Sequence, residues 1–106
     1  MQTRITARHC EASDGLRAHI ESQLGKLERV FDRIHDAHVI LNDDPSPAAD
    51  KRAEIALSVH RQTLKAADSA PTHAAAVDGC VRQLRRQVSR YKSKVRDKKG
   101  TGKPRP

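Results

Sequence analysis

Basic residues between positions 82 and 105 are the side chains of this sequence whose types and spacing best suit binding chemistry. This range contains eleven basic residues and only one acidic residue, Asp97. One arginine can bind two oxygens of a phosphate at the same time. A dense run of cations favours binding to a polyanion because binding releases the polyanion's condensed counterions. Hardly any acid lies four residues away to neutralise them. The run predicts a surface for phosphate groups, with nucleic acid as the leading partner, formed by Arg82, Arg85, Arg86, Arg90, Lys92 and Lys94.

The same run of charge is compatible with three alternatives. A merely solvated face is one, because small domains often carry net charge for solubility alone. A general RNA- or DNA-binding protein with no particular target is the second, and similar affinity for any nucleic-acid duplex would identify it. A scaffold for an acidic protein partner is the third.

The acidic residues offer no catalytic arrangement. Glu28, Asp32 and Asp36 fall on solvated faces at the spacings of a helix and a strand. General acid–base catalysis needs carboxylates that converge with a nucleophile or a bound substrate. We therefore expect a binding protein rather than an enzyme, and no cofactor is implied.

The thiols and imidazoles do not form a metal motif. Cys10 and Cys80 lie seventy residues apart, whereas zinc sites place their cysteines and histidines at close spacings. His35 and His38 face opposite sides of the strand predicted there. We expect reduced thiols and no metal site.

Length and composition limit the chain to one small domain. It has 106 residues, of which 36% are hydrophobic, and a formal net charge of +8. Residues 1–50 carry six basic and nine acidic side chains, whereas residues 51–106 carry fifteen and four. No apolar stretch approaches the ~20 residues of a membrane helix, and the first residues do not open a signal peptide. We expect a cytoplasmic protein that is monomeric when it is unbound.

Hydrophobic periodicity in the first half predicts a strand, a helix and a second strand. Positions 2–9 alternate with period two, as do positions 37–42. Between them, Ser13 or Asp14 is the expected N-cap of a helix. Its apolar residues recur every three or four positions: Leu16, Ile20, Leu24, Leu27, Phe31 and Ile34.

The second half predicts two further strands and a second helix. A proline-containing loop at 43–50 precedes a strand at 51–60, and a short turn at Arg61 and Gln62 leads to a strand at 63–67. A helix begins around Pro71 and Thr72, and residues 98–106, which contain no apolar residue, form a disordered basic tail. The apolar stripe of this helix is Val77, Val81, Leu84, Val88, Tyr91 and Val95.

These elements predict an α+β fold in the order β-α-β-β-β-α. The crossover through the first helix makes strands one and two parallel, and hairpins add the other two. Each helix has one apolar stripe to bury, so we expect both helices on one face of a four-stranded mixed sheet. The other face stays exposed to water.

An ordered set of short segments supports a family assignment. The segments are Arg8-His9, Leu27-Glu28-Arg29, Phe31-Asp32-Arg33-Ile34, Ala37-His38-Val39, Ala75-Ala76-Val77-Asp78, Arg82-Gln83-Leu84-Arg85-Arg86 and Tyr91-Lys92. Together they resemble the ribosome hibernation-promoting factor and ribosome-associated inhibitor A family over about residues 1–96. This sequence departs from the family in having Ala74 in place of an aromatic residue, Arg61-Gln62 in place of a glycine-containing turn, and prolines in the 43–50 loop.

The resemblance implies a fold and a partner, and it supports Arg8 as part of a wider basic surface. It implies a double-stranded-RNA-binding-like domain, spanning residues 1–97, that lodges in the small ribosomal subunit. There it would occupy the channel used by mRNA and by tRNAs in the A and P sites, inhibiting translation and preserving idle ribosomes in stationary phase or stress. Arg8 and His9, after strand one, and Arg61 and Lys65, near the last hairpin, extend the predicted rRNA-binding surface.

Overall fold

The six elements occur in the predicted order. The computed structural model describes residues 1–8, 10–31, 33–43 and 51–99, with side chains as far as Tyr91. Residues 44–50 of the loop predicted at 43–50 and residues 100–106 of the predicted tail lie outside this part of the chain. The strands are β1 (Gln2–Ala7), β2 (Asp36–Asp43), β3 (Lys51–Val59) and β4 (Gln62–Ala70), and the helices are α1 (Asp14–Val30) and α2 (His73–Lys99). Helix α2 thus extends two residues beyond the expected start of the tail.

The strands form one mixed sheet in the order β1-β2-β3-β4. β1 and β2 are parallel, whereas the β2–β3 and β3–β4 pairs are antiparallel. This is the predicted topology. The register aligns four residues across the outer face of the sheet, and the row they form runs Arg4, His38, Ala56, Lys65.

The inner face of the sheet and both helices share one hydrophobic core. β2 and β3 alternate between buried and partly exposed residues, as the period-two pattern predicts. The core residues that are almost completely buried come from all layers: Ile20, Leu24 and Leu27 of α1, Val39, Leu41, Ile55 and Leu57 of the sheet, and Val77, Leu84 and Val88 of α2. Neither helix, over its described residues, is long and apolar enough to span a membrane.

Helix α1 starts where predicted and ends earlier than its apolar stripe. The Ser13 hydroxyl accepts a hydrogen bond from the Leu16 amide, which makes Ser13 the N-cap. The helix ends at Val30, and Phe31 adopts an extended backbone as the C-cap. Phe31 and Ile34 are nevertheless buried, because the chain leaving the helix folds over the core. The prediction that Phe31 and Ile34 continue the helix was therefore wrong, whereas their predicted burial is confirmed.

Helix α2 is capped by Thr72, whose hydroxyl accepts from the Ala75 amide. Its first turns are tied to α1 through Asp78, which accepts hydrogen bonds from His19 at 2.7 Å and Gln23 at 2.6 Å. Burial opposes ionisation of Asp78, but these two bonds and the nearby positive charge outweigh it and hold its pKa below the ordinary value. The two helices are therefore joined by a polar contact as well as by the core.

The β3–β4 turn differs from the one predicted. Its two residues are His60 and Arg61, and Gln62 is already the first residue of β4, paired with Val59. Arg61 has a φ of 67°. That is the left-handed region, where a side chain is strained and glycine is usual.

Candidate nucleic-acid interface

Four arginines define the exposed side of α2. Arg82, Arg85, Arg86 and Arg90 are all exposed, and on a helical projection they span about 140° opposite the buried stripe. The sequence-predicted segregation of cations from apolar residues is thus present in the structure. Whether these side chains bind RNA stays a prediction.

Three side chains along one flank of α2 hold the helix against the edge of the sheet. They are spaced four residues apart and each donates a hydrogen bond to a backbone carbonyl of β4 or its turn. Because β4 is an edge strand, these bonds cover carbonyl oxygens that the sheet does not pair. The bonds are Gln83 to Ala67 at 3.0 Å, Gln87 to Lys65 at 2.7 Å and Tyr91 to His60 at 2.7 Å.

Three of the exposed arginines form a row beside the anchored flank, called the arginine row below. Arg82, Arg86 and Arg90 each precede one of the three anchoring residues, so they follow the same line on the solvent side. Successive members rise about 6 Å along the helix axis, which is comparable to the separation of successive phosphates on one RNA strand. This axial rise is comparable to the screening length of ~8 Å at physiological salt. The three charges therefore act as one extended field.

The four arginines of α2 whose side chains are described make no close ion pair with other described residues. Among the described residues, the ion pairs within 4.0 Å join other groups, and none includes Arg82, Arg85, Arg86 or Arg90. Asp78, one turn before Arg82, is hydrogen-bonded to α1, and the charge of Arg82 contributes to lowering the pKa of its carboxyl. The exposed cations repel one another, and an external polyanion would relieve that repulsion.

Lys65 and Arg61 lie beside the same helix. Lys65 is exposed on the outer face of β4, and its carbonyl receives the Gln87 bond. Arg61 is exposed in the turn reached by Tyr91. The backbone at these two predicted positions therefore lies beside α2 at the β4 edge, whereas the Lys65 side chain is on the sheet face opposite the helices.

The remaining predicted site residues are separated from this edge or lie outside the described side chains. Arg8 follows β1, at the opposite edge of the sheet, and its amide bonds the Leu41 carbonyl at the end far from Arg61. From strand spacing and rise, Arg8 and Arg61 lie roughly 30 Å apart. His9 is outside the described residues, and Lys92 and Lys94 lie in α2 with side chains beyond the described part.

A shallow concavity of about 580 Å³ lies on the outer face of the sheet. Its floor includes Ala56 and Ala67, and Arg52 at its rim pairs with Glu54 at 3.4 Å. This internal pairing offsets its positive charge. Among the described residues, no three histidine, cysteine or carboxylate side chains gather where they could share a metal ion.

The two thiols have different environments. Cys80 is fully buried, its Sγ lies 3.3 Å from the Ala53 carbonyl oxygen, and burial together with the Asp68 carboxylate raises its pKa to about 12. Cys10 is partly exposed. Cys80 therefore lacks the exposed, low-pKa thiolate that makes a cysteine reactive.

Sequence reasoning missed the anchoring role of three residues. It assigned Tyr91 to the core, and the partly exposed ring does pack against the core, but its hydroxyl also holds the turn. It gave no role to Gln83 and Gln87. Their spacing of four, on the flank between the buried and the cationic stripes, was the available signal, but only the fold shows that a strand edge lies opposite.

A mixed four-stranded sheet with two helices on one face, and an exposed arginine row on the second helix, defines a small α+β domain built to present positive charge. Comparison with known proteins identifies the family. Residues 3–96 match the family described as Sigma 54 modulation protein / S30EA ribosomal protein. The chain belongs to this family, which confirms the resemblance carried by its sequence segments.

Similar sequences include two curated relatives of different length. The chain is 29% identical over 96 residues to the ribosome hibernation promoting factor of Escherichia coli strain K12, covering 91% of this chain and 98% of that protein. It is 27% identical over 94 residues to the ribosome hibernation promotion factor of Lactococcus lactis, covering 89% of this chain and 51% of that protein.

Two solved structures share the fold. A ribosomal subunit interface protein from Coxiella burnetii superposes with a TM-score of 0.80 at 22% identity, covering 88% of this chain and 99% of that one. The N-terminal domain of Protein Y from Thermus thermophilus superposes with a TM-score of 0.76 at 27% identity, covering 86% and 99%. These matches agree with the order of elements and the mixed sheet described above.

Proposed function

We propose that this protein is a ribosome hibernation factor that acts in the cytoplasm. It binds the small ribosomal subunit in the channel used by mRNA and by tRNAs in the A and P sites. By occupying that channel it inhibits translation and preserves idle ribosomes in stationary phase or stress. It acts by occupancy, so it needs neither a catalytic group nor a cofactor.

The observation that carries the proposal is the exposed arginine row of α2. Arg82, Arg86 and Arg90 have no ion-pair partner among the described residues, and their spacing suits a phosphate backbone. Family membership over residues 3–96 and the names of the relatives support the ribosome as the source of that backbone.

Sedimentation with purified subunits tests the proposal. The protein is mixed separately with small and large subunits at low salt, and it should co-sediment with the small subunit. Added mRNA and initiator tRNA should displace it, and translation in a purified system should fall as the protein is titrated in. Recovery only in the soluble fractions, with no effect on translation, would refute the proposal.

The competing function is general binding of RNA or DNA, which the same arginine row would also support. A duplex RNA of unrelated sequence separates the two. A hibernation factor should bind folded small subunits much more tightly than this duplex at equal salt. Equal affinity for both, with no displacement by tRNA, would favour the general binder.

A further inference from the structure

The β3–β4 turn holds an arginine in a conformation that favours glycine. Arg61 has a φ of 67° and is exposed at the tip of the hairpin. A two-residue turn with a positive φ at its second position is ordinarily built with glycine, because glycine has no Cβ to clash. The fold alone therefore gives no reason for arginine at this position.

A hydrogen bond from α2 fixes this turn. The Tyr91 hydroxyl donates to the carbonyl of His60, the residue before Arg61, at 2.7 Å. The Tyr91 ring also packs edge-on against Phe31, with centroids 5.5 Å apart and planes at 68°. The ring is thus held from the side of α1, and its hydroxyl in turn restrains the peptide that leads into Arg61.

The same hydrogen bond connects the turn to the arginine row. Arg90 precedes the donor residue Tyr91 in sequence, and Arg61 follows the acceptor residue His60. The turn therefore lies beside the arginine row, at the Arg90 end of its described part. Arg61 and Arg90 therefore each lie one residue away from an end of the same hydrogen bond.

We propose that Tyr91 is a positioning residue for RNA binding, whose hydroxyl holds the strained turn so that Arg61 binds a phosphate neighbouring the one at Arg90. The inference rests on the proposed function and adds a specific device to it. The strain at Arg61 is retained because the charge is needed there, as strained backbone at functional positions often is.

A double-mutant cycle separates positioning from a merely structural role. The variants are Tyr91→Phe, which removes only the hydroxyl, Arg61→Gly, which removes the charge and relieves the backbone, and the two together. Affinity for purified small subunits is measured across a salt series, and thermal unfolding is recorded for each variant. Arg61→Lys, which keeps a positive charge, is the matched control.

We expect Arg61→Gly to weaken binding without lowering the stability of the fold. Arg61→Gly should keep or raise the thermal midpoint, yet weaken binding and reduce the magnitude of the log K against log salt slope by about 0.7–0.9. Arg61→Lys should keep most of that slope. Tyr91→Phe should weaken binding by about three- to tenfold, the loss of one hydrogen bond. In the Arg61→Gly background, Tyr91→Phe should weaken binding no further, because the side chain it positions is gone.

Three results would overturn the inference. An equal loss from Tyr91→Phe in both backgrounds would show that the hydroxyl acts through general stability. Unchanged affinity of Arg61→Gly would show that the turn is not a contact. Failure of the unmodified protein to bind small subunits at all would refute the proposed function itself, and that result is distinguishable from the other two.

Discussion

Replacing the three arginines of the row should weaken binding and make it less dependent on salt concentration. The change is the triple substitution Arg82→Gln, Arg86→Gln and Arg90→Gln, which leaves the anchoring glutamines and the apolar stripe untouched. If each guanidinium neutralises one phosphate, three contacts reduce the magnitude of the log K against log salt slope by about 2–3. Between 50 and 200 mM salt the unmodified protein should then lose about 15- to 60-fold more affinity than the variant.

A charge-matched variant on α1 is the control for this prediction. Arg17, Lys26 and Arg29 are exposed there, and changing all three to glutamine removes the same net charge away from the row. Binding to small subunits is measured by sedimentation or fluorescence anisotropy across the salt series. The control should retain the steep slope, and circular dichroism should show an intact fold in both variants.

The result that would refute the reasoning is a row variant with unchanged slope and affinity. Equal effects of the row variant and the α1 control would contradict it as well. In the first case α2 is a solvated face, as most charged helix surfaces are. In the second, only the total charge of the protein matters and the geometry of the row is irrelevant.

Three further predictions concern the folded domain. Iodoacetamide should modify Cys10 in the native protein and spare Cys80 until the chain is denatured, because burial shields that thiol and raises its pKa; equal rates by mass spectrometry would contradict this. The contacts that lower the pKa of Asp78 stabilise the fold above the ordinary pKa of 3.8, and this stabilisation is lost as the pH falls below that value. In Asp78→Asn the thermal midpoint should therefore decrease less on acidification, and an unaltered dependence of the midpoint on pH would contradict this prediction. Gly79→Ala should fail to give the ~1 kcal/mol of stabilisation usual for this change inside a helix, because the new Cβ would overlap the Asp68 carboxylate and displace it; a stabilised variant in urea titration would show that this carboxylate moves freely.

Local patterns were enough to predict most of the fold. Period two in the strands and a period near 3.6 in the helices reflect which side chains point to the core, and those periods are present in the sequence. Ser13 was recognisable as an N-cap because a short polar side chain precedes an apolar helical pattern. The exposed side of α2 was predictable for the same reason, since the apolar stripe determines which side is left for the arginines.

Element ends and the turn were less accessible to such reasoning. Phe31 and Ile34 continue the helical spacing of α1 but lie beyond its end, because burial can be satisfied by an extended segment as well as by a helix. Arg61 carries no signal of a positive φ. Only the pairing of Val59 with Gln62 shows that the turn has two residues and that Arg61 is the second of them.

The sequence by itself determined the order of the elements, the residues of the core and the cationic side of α2, because each follows from periodicity within one segment. Only the tertiary structure decided which cations lie together. Hydrogen bonds made by Tyr91 and Gln87 bring the turn that carries Arg61 and the Lys65 backbone beside α2, while Arg8 lies at the opposite edge of the sheet. Such proximity joins residues distant in sequence and depends on strand order and register, which no local pattern encodes.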